Sequence, residues 1–149
     1  MVVARIQGLL EQARARGAPV FFVQHAGGEG EPLAPGTPGF AFRSELAPLP
    51  GEAVIVKQNC SAFQGTALDA VLKAAGVDHL IVCGMQTEFC VDTSVRSAFE
   101  RGYRVTLVAD GHTTFDTPGL KAEAIVAHHN HLMNGAFAKV TPAAEIAFG

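Results

Sequence analysis

Cys90 and Lys57 are the side chains whose type and position suit nucleophilic chemistry. A thiol attacks well only as its thiolate, so its surroundings decide whether it is reactive. Cys90 closely follows the apolar run HLIVCG (79–84) and falls about three residues into a helical stretch that Thr87 is placed to cap. Free backbone N–H groups and the positive end of the helix dipole gather there and favour a negative sulfur. The same N–H groups could hold the oxyanion of a tetrahedral intermediate. Lys57 ends a second apolar run, AVIVK (53–57), where an ammonium group can activate a thiol and stabilise developing negative charge. The plain alternatives are a small buried hydrophobe for Cys90 and a solvated strand end for Lys57.

Other reactive types are less well placed. Cys83 lies inside its apolar run and reads as core, while Cys60, three residues past Lys57, reads as a bystander near the site. A redox pair of Cys60 with Cys90 is a further possibility. His128, His129 and His131 cluster on one helical stretch, but no carboxylate or cysteine completes a metal spacing, so they read as a solvated or capped helix face. His25 and His112 stand at strand ends and are better placed to touch a substrate, and Asp110 is expected to fix the turn after its strand through nearby N–H groups.

The elements that must position these groups alternate. Residues 2–16 have helical apolar spacing with Gly17 as terminator, and PVFFVQH (19–25) follows as a buried strand. A Gly- and Pro-crowded loop fills 26–51, longer than an ordinary connection. AVIVK, a helix ended by Gly76, HLIVCG, a helix ended by Gly102, RVTLVAD (104–110), a helix over 118–133 and a short strand at 138–141 complete the chain. Such alternation predicts an α/β fold, a mainly parallel sheet of about five strands between helices, in a single domain over 1–149. Ligands of doubly wound sheets sit beyond the carboxyl ends of strands, which here offer His25, Lys57, the Gly84–Cys90 segment, Asp110 and His112.

Composition narrows the function classes. The formal net charge is −3 without a basic run, and no Trp is present, which excludes an obvious nucleic-acid surface or polybasic membrane anchor. Three cysteines and an amphipathic rather than uninterrupted apolar start point to a reducing, cytoplasmic setting, and no stretch is apolar enough to span a membrane.

Three strings, K-x-x-x-SAF-x-GT-x-LD (57–69), GVD-x-L-x-V-x-G-x-x-T-x-x-CV (76–91) and RGY-x-V-x-x-V-x-D (101–110), come in the order found in the isochorismatase-like cysteine hydrolases. The chain resembles that family from Val2 onward, its proline-rich loop included. The resemblance implies a Rossmann-like α/β/α fold, an Asp–Lys–Cys triad, and hydrolysis of C–N bonds in small amides or ureido compounds. By position, Cys90 resembles the nucleophile and Lys57 the triad lysine. The Met85–Gln86 bond resembles the family's cis peptide, which would turn the Gln86 N–H toward the oxyanion beside that of Cys90. His25, Phe63, Thr87, Phe89 and His112 are expected around the substrate.

Two departures qualify the resemblance. The family's triad aspartate ends a strand before the opening helix, and no Asp precedes Val20 here. That implies either an N-terminally truncated sequence or a sheet closed differently, for instance by another subunit. The Asp/His metal site of nicotinamidases also has only His25 to build it, so no metal and no cofactor is expected. The expectation is a homo-oligomeric amidohydrolase of low turnover. Its rival is a silent domain that binds a small ligand or serves assembly.

Overall fold

The computed structural model describes residues 1–149. Helix α1 (Val2–Ala15) leads into β1 (Phe21–His25), and after the long loop come β2 (Ala53–Lys57), α2 (Leu68–Ala74) and β3 (His79–Met85). A π-helical turn (Thr87–Val91) enters α3 (Asp92–Glu100), followed by β4 (Arg104–Thr113), α4 (Ala122–Met133) and β5 (Lys139–Thr141). No helix is long and apolar enough to cross a membrane.

Three helices end as the glycine positions predict. Gly17, Gly76 and Gly102 take left-handed φ values of 67°, 68° and 87°. After α1, the N–H groups of Gly17 and Ala18 turn back to the carbonyls of Arg14 and Ala13, and the same pair of bonds follows α2 and α3. A side chain would strain that conformation, which glycine adopts freely. Helix α4 starts later than expected, at Ala122, because Asp116 accepts the Ala122 N–H at 2.9 Å and pairs with Lys121.

All strand pairs are parallel, but the five strands form two sheets, β1–β2 and β3–β4–β5. β1 and β3 each keep an unpaired edge. The main core lies on the Val105 and Leu107 side of β4, under Leu68 and Leu72 of α2, Val95 and Ala98 of α3 and Met133 of α4. Val108 points the other way, onto Leu9 of α1 and Ile146. Leu72 and Leu107 are 1% exposed, and burial of each such side chain contributes about 1.5–3 kcal/mol. Cys83 packs against the second cluster, and burial pushes its thiol up to about 11.

One irregularity positions the site. Val82 pairs with Leu107, but Gly84 pairs with His112 and Met85 with Thr113. Two steps along β3 are thus matched by five along β4, a bulge that carries His112 to the carboxyl end of β3. Bulges beside functional sites re-aim side chains in this way.

Candidate active site

Lys57 ends β2 of one sheet, Cys90 lies in the turn that follows β3 of the other, and the two side chains meet. Lys57 Nζ donates to Cys90 Sγ at 3.0 Å, to the Asn59 carbonyl at 2.7 Å and shares a 3.1 Å contact with His25 Nδ1. These contacts use the three donors of an ammonium group. Lys57 is 4% exposed, so its charge acts on these neighbours with little screening by water. Burial, and then the Lys57 charge, holds the His25 pKa below its ordinary value. Neutral His25 therefore accepts from Lys57 through Nδ1. No carboxylate bonds Lys57 or Cys90.

Cys90 sits in the π-helical turn rather than in an α-helix capped by Thr87. The Val91 N–H reaches the Gln86 carbonyl, a π-type bond, and the Phe89 N–H shares that acceptor. The N-cap position is Gln86, without a side-chain cap bond, and the Thr87 hydroxyl bonds His112 instead. Short π segments often mark functional sites. The Met85–Gln86 peptide that opens the turn is cis. Met85 and Phe89 are about half exposed at its rim.

Three residues expected around the substrate are buried. Phe63 is buried in the main core against Tyr103. Thr87 and His112 are each 1% exposed, and they bond each other at 2.9 Å behind the turn. None of the three presents a side chain to an open cleft. Asp110 also differs from its expected role. It lies within β4, pairs with Arg5 of α1 at 2.8 Å and accepts the distant Ala143 N–H, well outside the Lys57–Cys90 contact.

Within the histidine cluster, His129 is the residue whose side chain makes polar contacts. His129 bonds the Ile125 carbonyl through Nδ1 and faces Asp92 at 3.5 Å through Nε2, with His128 edge-on to it. No three potential metal ligands converge anywhere in the chain. Cys60 is exposed. Two surface hollows of about 440 and 410 Å³ lie at the amino ends of the strands, one near His79, Arg104 and Lys139, the other near Phe21 and Ala53. The Lys57–Cys90 pair is at the opposite, carboxyl ends, where open α/β sheets bind ligands.

Sequence reading missed several contributors. The Asn59 carbonyl leaves no side-chain signal. Asn130, which joins His112 to α4, was detectable only as a polar residue in an otherwise half-apolar helix. Glu88, bonded by Thr114 Oγ1 at 2.7 Å, depends on the bulge and could not be read locally.

A profile of the isochorismatase domain matches residues 1–145. The chain is 44% identical over 117 residues to streptothricin hydrolase of Streptomyces noursei, covering 78% of this chain and 42% of that enzyme. It is 32% identical over 137 residues to the ureidoacrylate amidohydrolase RutB of Agrobacterium fabrum, covering 72% of this chain and 60% of the relative. It therefore spans less than two thirds of the length of either. A solved isochorismatase of Pseudomonas putida KT2440 superposes with a TM-score of 0.93 at 37% identity, over 98% of this chain and 77% of that one.

Proposed function

The chain belongs to the isochorismatase family, and we propose that it hydrolyses a C–N bond in a small amide or ureido compound through Cys90. The observation that carries this is the 3.0 Å contact between a buried ammonium group and a half-buried thiol at the carboxyl ends of parallel strands. The amidohydrolase among its relatives supports the bond type.

In this reading the Cys90 sulfur, held against the Lys57 ammonium group, attacks the carbonyl carbon as its thiolate and forms a C–S bond. The N–H groups of Gln86 and Cys90 hold the oxyanion. Collapse breaks the C–N bond, and the departing nitrogen takes its proton from solvent water. Water then attacks the thioester, releases the acid and returns the thiol. Among the residues present, no carboxylate bonds Cys90 or Lys57 to relay that proton. His25 and Phe89 remain as candidates to touch substrate. No metal or cofactor enters the scheme.

That same lack favours a second reading, a domain that binds a small ligand without turning it over. A panel of small amides and ureido acids separates the two. Hydrolysis by the wild type, a covalent acyl adduct on Cys90 by mass spectrometry, and loss of both in Cys90→Ser are expected. Binding with neither product nor adduct would favour the silent domain. We also take the protein to be cytoplasmic and homo-oligomeric. Three unpaired cysteines support the first and the open edges of β1 and β3 the second.

A further inference from the structure

Behind the nucleophile turn runs a chain of polar groups that this scheme does not use, buried at Thr87 and His112 and half-buried at Asn130. Asn130 Nδ2, on α4, donates to the Ala109 carbonyl at 2.8 Å. Only the amide nitrogen can face a carbonyl oxygen, which fixes the other amide atom as an acceptor. Asn130 Oδ1 therefore accepts from His112 Nε2 at 2.8 Å. With its proton on Nε2, neutral His112 has a lone pair on Nδ1, so the Thr87 hydroxyl must donate to it at 2.9 Å. Every hydrogen in the chain from α4 to the turn then has one assigned place.

Burial favours this neutral form. It lowers the His112 pKa, opposed by the Asn130 bond and by Asp110 and assisted by His129. Asp110 is paired with Arg5 and His129 with Asp92, which limits the field either exerts. With His112 and Thr87 each 1% exposed, water cannot replace a lost partner, and an unmet acceptor there is costly.

Thr87 opens the turn that carries Cys90, directly after Gln86, whose carbonyl gathers the N–H groups of Phe89 and Val91. A turn so short moves as a unit, and its first residue is held by His112. Thr114, the residue that follows β4, holds the next residue of the turn, Glu88. We propose that His112, as the Nε2–H tautomer, is a positioning residue that sets the Cys90 sulfur by fixing the Thr87 hydroxyl. The proposal rests on the hydrolase reading of Cys90.

The test uses the intact chain and iodoacetamide as the probe, with addition at each cysteine followed by mass spectrometry. Thr87→Val keeps the side-chain shape and loses the donor, whereas Thr87→Ser keeps the donor. Misplacing a reacting atom slightly is costly, so Thr87→Val should slow alkylation of Cys90 about tenfold and Thr87→Ser no more than about twofold. Alkylation of Thr87→Val at the wild-type rate, or of Thr87→Ser as slowly as Thr87→Val, overturns the proposal. Ring-nitrogen NMR of wild-type His112 should show the Nε2–H form at neutral pH. An Nδ1–H form overturns the proposal, and that reading holds even if Thr87→Val does not fold. A wild-type Cys90 no faster than Cys60 removes the hydrolase reading and this proposal with it, and is recognised before any substitution is made.

Discussion

The two sheets hold their halves of the site in different ways. Six of the ten residues of β4 are buried, and the π-helical turn beside it is tied by side chains to His112 of β4 at Thr87 and to Thr114, just past β4, at Glu88. The β1–β2 ribbon has no such cover. β1 has no fully buried residue, and Val23, Val54 and Val56 are 40%, 40% and 50% exposed. Lys57 keeps its place through its own three contacts. The nucleophile thus rides on a buttressed body, while its cationic partner ends a strand of a thin two-stranded ribbon. Chemistry and stability should therefore respond separately to substitution.

The sharpest break between them is at Cys90. Cys90→Ser should lower amide hydrolysis by at least about 10³-fold, with an unchanged melting temperature. A variant that loses stability as well would make the sulfur part of the packing. Next in size, Leu107→Ala in β4 should cost about 3 kcal/mol in urea unfolding. Val54→Ala in the ribbon should cost less than about 1 kcal/mol by the same measurement, since little apolar area is at stake. Equal costs would erase the contrast between the sheets. Hydrogen exchange offers a finer reading: β1 amides should exchange faster than those of central β4.

The smallest effect concerns pH. His25 and His112 are both held below the ordinary value of 6.5, chiefly by burial. The unfolded chain therefore binds protons first as pH falls. The stability these histidines contribute is complete above 6.5 and is lost as pH drops through their depressed folded values. Urea midpoints between pH 7.5 and 5, set by the ordinary histidine range, should fall in the wild type and fall less in His112→Leu. A steeper loss in the variant would reverse the assignment.

Local physics explains what the sequence disclosed. Gly17, Gly76 and Gly102 mark helix ends because the left-handed turn they occupy penalises other residues. The α/β alternation follows from apolar period, and Lys57 and Cys90 were legible because both follow continuous apolar strands. The division of the sheet was not legible, because FFV and LIV read alike whether their edges are paired or open. Thr87, His112 and Phe63 were expected around the substrate, yet all three are buried. The bulge between Val82 and Gly84 folds His112 behind the turn, and no local pattern encodes the register of a distant strand. Asp110 pairs with Arg5 for the same reason: its partner is set by how α1 docks.

The most direct measurement compares iodoacetamide addition to Cys90 and Cys60 in one sample at neutral pH, in wild type and in Lys57→Met. Cys60 is exposed and Cys90 only half so, so access alone would favour Cys60. The expected result is faster addition at Cys90, reduced to the Cys60 rate or below once the ammonium group is removed. A Cys90 slower than Cys60, or indifferent to Lys57→Met, would contradict the ammonium–thiol pair on which the proposed hydrolysis depends.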